Sequence, residues 1–443
     1  MMKLTTYDKY KNSEAEWLGT IPEHWELYRI KDFTYVKGRI GWQGLRSDEF
    51  LDNTDYYCVT GQDFKNGIVD WENCYCVEQD RFDQDTKIQL QIGDLLITKD
   101  GTIGKLALVK SLPKKATLNS GVFLTRPNKG AYSNDFMFWL LSSSIFTNFI
   151  DFTKNGSTIL HLYQNVFVRF LYPLPSPLEQ TKIANYLDQA TTKIDKKIDL
   201  LTQKIKHYQD LKTALINRAV TKGLDDSVEM KDSGVEWSPQ IPKHWNIRPL
   251  KFIAEAIIGL TYSPNDVCDE GEGTLVLRAS NIQNGKLVFG KNVFVNKEIP
   301  KKLKTKKFDI IICSRSGSRN LIGKCGLVEE NFIDLTFGAF NTLVRSSMNQ
   351  FLFYILSSNL FKAEAGKYMT TTINQLTIRT LKSFLVPIPP RSEQNKIVEY
   401  LNHKTSIIDK IIQTITTQIE HQKELRKTLI NDVVTGKVKV ENS

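Results

Sequence analysis

The chain has 443 residues, of which 41% are hydrophobic and 24% charged, with a net charge of +10 at pH 7. That length holds two to four ordinary domains, and the apolar share excludes global disorder. No run approaches the roughly 20 apolar residues of a membrane span, and the N-terminal stretch has no apolar signal core, so a cytoplasmic protein is expected.

The six cysteines lack CxxC spacing, which disfavours both a zinc site and a disulfide framework. The basic excess leans toward a polyanionic partner. The first element along the chain is an anchor, WLGTIPEHW (Trp17–Trp25). β-prone runs follow, YYCVTG, DLLITK and KLALVK, separated by glycine and asparagine turns. The segment NDFMFWLLSSSIFTNFI has the spacing of an amphipathic helix.

A proline-rich hinge then opens a long helix. Ser176, Pro177 and Glu179 form a capping-box sequence, with the serine at the N-cap, proline next and glutamate at the third position. Apolar residues recur in steps of three and four at Ile183, Leu187, Ile194, Ile198, Leu201, Ile205, Tyr208, Leu211 and Leu215, the pattern of a coiled-coil seam. Gly223 stands where a helix C-terminal glycine would. From Glu179 to Lys222 such a helix would run about 66 Å, too long to bury its stripe on one small domain.

The same order then recurs. WSPQIPKHW (Trp237–Trp245) repeats the anchor, FDIIICSRSGSRNLIGK repeats GDLLITKDGTIGK with four residues inserted, and FYILSSNLF repeats FWLLSSSIF. PLPSPLEQTKIANYLDQATTKID (Pro173–Asp195) returns without a gap as PIPPRSEQNKIVEYLNHKTSIID (Pro387–Asp409). The second seam reads Ile397, Leu401, Ile408, Ile412, Ile415, Ile419, Leu425, Leu429 and Val433, closed by Gly436. Pro390 replaces Ser176, so the second capping box is missing. The chain is thus a duplicated α+β unit with an internal pseudo-twofold, and the two long helices are expected to pair as an antiparallel coiled coil that holds the globular parts apart.

Motifs of catalysis are missing. GTIGK lacks the glycine at 99 and the Ser/Thr at 106 of a phosphate loop, and no amino-methyltransferase tetrapeptide, HExxH or GxSxG occurs. His24 and His244, each beside a tryptophan, read as packed or capping histidines rather than ligands.

The duplicated order of anchor, GTIGK-like turn, helix and Pro-hinge long helix resembles the specificity subunits of type I restriction–modification systems, over essentially the whole chain. KGRIGWQGL (Lys37–Leu45) looks like one class of their target-recognition domains, and IIGLTYSPND in the second copy like a more common variant. The resemblance implies target-recognition domains over 1–175 and 224–389, spacer helices over 176–223 and 390–437, and a tail over 438–443. Each domain would read one half of a split, asymmetric double-stranded DNA sequence. The helices would set the unread gap and dock two modification subunits carrying S-adenosylmethionine. Restriction subunits using ATP and Mg2+ would complete the complex, and this chain would carry no active site or cofactor of its own.

Polar and basic residues in glycine turns are the candidates for DNA contact, because register needs phosphate contacts and sequence needs side chains at base edges. In the first copy these are Arg39, Gln43, Arg46, Lys99, Thr102, Lys105, Ser157 and Thr158. In the second they are Arg315, Ser316, Ser318, Arg319, Asn320, Lys324, Thr371, Thr372 and Asn374. The inserted CSRSGSRN carries two arginines among small residues, suited to a groove-entering loop. A scaffold joining two protein-binding domains, a subunit of a modification-only or single-chain-nuclease system, and a nucleic-acid enzyme with a degenerate site are the competing readings.

Overall fold

Near-continuous apolar runs such as LLI (95–97) and IIIC (310–313) are the pattern of strands covered on both faces. In a computed structural model, which describes residues 2–40, 44–153, 161–367 and 375–442, these runs are the centres of two mixed sheets. The chain divides into two compact units, one of residues 1–201 with 417–443 and one of residues 202–416.

In the first unit the sheet contains β1 (Thr34–Gly38), β2 (Phe64–Lys65), β3 (Ile68–Val69), β4 (Leu95–Thr98), β5 (Leu106–Leu108) and β6 (Val122–Pro127), in the spatial order β1-β6-β4-β5-β3-β2. β4 pairs antiparallel with β6, Leu96 opposite Leu124, and with β5, Leu96 opposite Ala107. Side chains alternate across the sheet. Leu95, Ile97, Leu106 and Phe123 join a core with Trp25, Phe136, Phe146, Phe170 and Tyr172. Leu96, Ala107, Val122 and Leu124 join a second core with Val59, Ile88 and Leu118 on the other face. Each fully buried Leu or Ile contributes about 1.5–3 kcal/mol, so a polar residue at any of these positions would disrupt the layer.

The amphipathic segment after β6 forms two helices, α1 (Asn134–Leu141) and α2 (Ser144–Thr153), rather than one. Ser142 Oγ donates to Phe138 O at 2.7 Å and Ser143 Oγ to Leu140 O at 2.6 Å, and such side-chain bonds compete with the helical ladder.

The long helix α3 (Pro177–Lys222) starts in this unit. Its cap forms as read: Ser176 Oγ donates to Glu179 Oε2 at 2.9 Å, and Glu179 N–H points back to Ser176 Oγ at 3.4 Å. The Glu179 carboxylate also meets the anchor. His24 Nε2 lies 3.1 Å from Oε1, and Trp25 Nε1 donates to the same oxygen at 3.4 Å. Gln180 is buried and ties the hinge, donating to Pro175 O at 2.9 Å while accepting from Ser133 N–H at 2.8 Å.

The unit is completed by the last part of α6 (Arg391–Val434), whose C-terminal Gly436 has φ +73° and lies against Pro22 and Trp25. Trp25 therefore sits between the start of one long helix and the end of the other, which makes the pairing antiparallel within this unit. Arg426 on α6 pairs with Asp195 on α3 at 2.9 Å, in agreement with that direction. A strand at Met2–Thr5 pairs with one at Lys439–Asn442.

The second unit repeats this plan. Its sheet contains β7 (Glu255–Ile258), β8 (Ile282–Gln283), β9 (Lys286–Leu287), β10 (Ile310–Cys313), β11 (Cys325–Leu327) and β12 (Asn341–Arg345), in the order β7-β12-β10-β11-β9-β8. Ile310 and Ile312 face the core of Trp245, Phe351 and Phe361, and Ile311 and Cys313 face that of Val276, Val328 and Phe337. α4 (Asn349–Ser357) and α5 (Asn359–Lys367) again divide the amphipathic segment at a serine. His244 Nε2 lies 2.7 Å from Glu393 Oε2, although the serine of the cap is a proline here. Gln394 donates to Pro389 O at 2.9 Å. Gly223, at φ +74°, packs against Glu393 and Trp245, and Lys212 pairs with Asp409 at 2.6 Å, so the helices are antiparallel in this unit too.

The seam differs from expectation at one pseudo-equivalent pair. Leu211 is 47% exposed and Leu425 is 51% exposed. With 3.6 residues per turn, the covered stripe passes through Tyr208, Lys212 and Ala219 on α3, and through Ile419, Arg426 and Ile430 on α6. A residue one position away points to solvent.

Candidate nucleic-acid interface

The turn after the central strand is built alike in both units. In the first, Lys99 N–H donates to Gly121 O at 2.9 Å, and Lys99 O accepts from Leu162 N–H at 2.7 Å. Asp100 and His161 then form an isolated antiparallel bridge. In the second, Ser314 N–H donates to Phe340 O at 2.9 Å, Ser314 O accepts from Leu376 N–H at 2.8 Å, and Arg315 bridges Gln375. The glycine turn is thereby fastened to the chain that follows 154–160 in one unit and 368–374 in the other. The expected contacts Ser157, Thr158, Thr371, Thr372 and Asn374 fall within those segments, and Gln43 within 41–43, all outside the described residues.

The opposite end of each central strand is braced by a buried ion pair. Arg126 grips Asp94 with Nε at 2.5 Å and Nη2 at 2.8 Å. Arg345 grips Asp309 at 2.9 and 2.5 Å, and those hydrogen bonds to the carboxylate hold its guanidinium above the ordinary arginine range. Rigid strands with one pinned end suit the precise presentation of a turn at the other.

The remaining candidates divide clearly. Arg39 is a correction: it is 1% exposed, with Nε donating to Leu118 O at 2.8 Å and Nη2 to Thr117 Oγ1 at 3.2 Å. Burial lowers its pKa, and its donors serve the fold of the first domain, not a groove. Arg46 is exposed, and its backbone N–H donates to Glu49 at 2.7 Å. Lys99 is half-buried with Nζ 5.1 Å from the Phe123 ring centre, and burial lowers its pKa. Thr102 and Lys105 are exposed on the turn, Lys105 Nζ donating to Gly61 O at 3.0 Å.

In the second unit Arg315, Ser318, Arg319 and Asn320 are exposed, and Ser316 and Lys324 half-buried. The insertion forms a short 3-10 turn, Arg319–Leu321, and Arg319 Nη2 donates to Gly366 O at 3.4 Å. The guanidinium of Arg315 lies 5.3 Å from the ring centre of Phe340, itself 60% exposed. Sequence reading did not single out Phe340, Asp100, His161 or the 60% exposed Tyr163, whose ring centre is 4.6 Å from that of His161. Their one signal is a position beside the bridge, which only the fold reveals.

Among the described residues no group of three or more His, Cys, Asp or Glu could hold a metal ion, and no helix is long and apolar enough to cross a membrane.

Known proteins share this design. A MjaVIII specificity subunit of a type I restriction enzyme from Methanocaldococcus jannaschii is 26% identical over 95% of this chain and 95% of its own length. The EcoKI specificity subunit of Escherichia coli strain K12 is 27% identical over 45% of this chain and 44% of its own. A chain solved in a study of assembly and conformational transition of the type I R-M system superposes with a TM-score of 0.72 at 16% identity, covering 94% of this chain and 99% of that one. The HsdS subunit of Thermoanaerobacter tengcongensis gives a TM-score of 0.52 at 16% identity, over 94% and 98%. The model of the type I restriction modification DNA specificity domain matches twice, over residues 22–207 and 242–421, and the chain belongs to that family.

Proposed function

We propose that each matched domain reads one half of a bipartite, asymmetric double-stranded DNA target, in a type I complex of which this chain is the non-catalytic specificity subunit. The observation that carries the reading is one framework used twice with unlike exposed chemistry: Asp100 with His161 in one unit, Arg315 with Phe340 in the other. Two copies of one scaffold with different reading groups suit an asymmetric target, because base edges in the major groove differ in their donor and acceptor pattern. Thr102 and Lys105 in the first unit, and Ser318, Arg319 and Asn320 in the second, supply groups for phosphates and sugar.

The long helices would set the unread gap and dock two modification subunits. Leu178 and Leu200 on α3, each 66% exposed, give that helix apolar anchors on its outer surface for such docking. S-adenosylmethionine is assigned to those subunits, ATP and Mg2+ to restriction subunits, and the complex to the cytoplasm with its DNA.

A salt-dependent gel shift tests the reading, using this chain with its modification subunits on a panel of duplexes. Retarded complexes with a preference for one bipartite sequence, weakening as salt rises, are expected. A scaffold would bind every duplex alike or none.

A further inference from the structure

We propose that the second residue beyond each central strand, Asp100 in the first unit and Arg315 in the second, reads a base and not a phosphate. Asp100 would accept from an exocyclic amine such as cytosine N4, and Arg315 would donate to the O6/N7 edge of guanine. The proposal rests on the functional reading above and sharpens it to two positions.

The two residues are equivalent by backbone, not only by sequence. Each follows a residue whose N–H binds the carbonyl of Gly121 or Phe340 and whose carbonyl binds Leu162 or Leu376 N–H, and each forms the isolated bridge. Both are exposed. A carboxylate on a DNA-facing turn cannot be a phosphate ligand: two like unit charges 4 Å apart repel by about 4 kcal/mol at an effective dielectric constant of 20. An acidic side chain at this place is compatible with DNA only where it meets base edges, and there Asp and Glu accept from the cytosine amine. Backbone equivalence carries that placement to Arg315.

The local surroundings fit each role. His161 Nδ1 pairs with Asp100 Oδ1, orienting the carboxylate while Asp100 remains 43% exposed at its side chain. No carboxylate among the described residues pairs with Arg315, whose planar guanidinium is instead held over Phe340. A cation–π contact of this kind holds the guanidinium beside the ring and leaves its N–H donors for a bidentate acceptor. In the first unit the place of Phe340 is taken by Gly121. An aromatic platform accompanies the arginine and is dispensed with where a histidine does the orienting.

The test is methylome sequencing of cells whose complete system carries wild-type chain, Arg315→Ala, Arg315→Lys or Asp100→Ala. Arg315→Ala is expected to relax one guanine in one half-site, with discrimination there falling on the order of 10- to 100-fold. Asp100→Ala is expected to relax one position in the other half-site. Arg315→Lys should fail to restore the guanine, because a lysine lacks the planar fork. An unchanged motif in these variants, or an even loss at all positions that lysine rescues, overturns the proposal. If Arg315→Ala abolishes methylation altogether, the lysine variant decides: a full motif refutes base reading and a relaxed one supports it. A wild-type chain that yields no bipartite motif would overturn the functional reading itself.

Discussion

Gly436→Ala isolates the junction that the duplication preserves. Gly436 ends α6 at φ +73°, and a Cβ there would lie 2.4 Å from Cδ and Cγ of Pro22 and 3.1 Å from Trp25. A left-handed backbone costs an L-residue about 1–2 kcal/mol. Overlap with a rigid proline ring adds about 1–3 kcal/mol, the range of overpacked cores. Gly19→Ala supplies the control, since Gly19 has φ +72° and nothing within 4 Å of its Cβ position. Gly223→Ala should fall between, because the nearest atom, 2.9 Å away, is the far end of the flexible Glu393 side chain. Thermal unfolding of the three variants reads the order directly, at about 2–4 °C per kcal/mol for units of this size. The expected losses rank Gly436→Ala above Gly223→Ala above Gly19→Ala. Equal losses would mean that the helix end does not clasp the anchor, and the account of the junction would be wrong.

Three further outcomes follow from the same contacts. Arg126→Ala leaves Asp94, with a side chain 3% exposed, as an unpaired buried charge, and should cost about 3–5 kcal/mol in urea unfolding; a loss below 1 kcal/mol would contradict the brace. Although burial works against it, hydrogen bonds from His24, Ser176 and Trp25 hold the Glu179 carboxyl below its ordinary value of 4.5. Its contribution is therefore full above about pH 4.5 and lost as pH falls through the lower folded value; stability measured from pH 5 to 3 should fall less steeply in Glu179→Gln, and parallel curves would refute the link. Lys212–Asp409 and Arg426–Asp195 are partly exposed, so double-mutant cycles should give coupling below about 1 kcal/mol, weakened by salt, whereas coupling above 2 kcal/mol would show that these pairs carry the helix pairing.

Much of the fold was written in local pattern. The gapless repeat marked two α+β units, the β-prone run DLLITK and its repeat marked a strand in each, and Ser176-Pro-Leu-Glu179 marked a helix start; that these strands are covered on both faces is seen in the fold. The purpose of the repeated Glu-Gln pair was not readable: it joins the anchor, the hinge and the helix through His24 and Pro175, which lie far away or just upstream in sequence. Nor did the missing serine at Pro390 cost the second helix its glutamate partner, because His244 comes from the anchor. Arg39 misled because a basic residue in a glycine-rich stretch reads as surface, and only the fold shows carbonyls around its guanidinium. Asp100 and Phe340 escaped for the converse reason. Their significance arises from the bridge to His161 and from the overlying Arg315, and no local periodicity records contacts across such separations.

The central claim is that this one chain dictates one split DNA sequence. Methylome sequencing of the host with and without its gene tests this most directly. The account predicts that a single bipartite adenine-methylated motif with unlike halves disappears with the gene and returns on complementation. A methylome that is the same with and without the gene would contradict it.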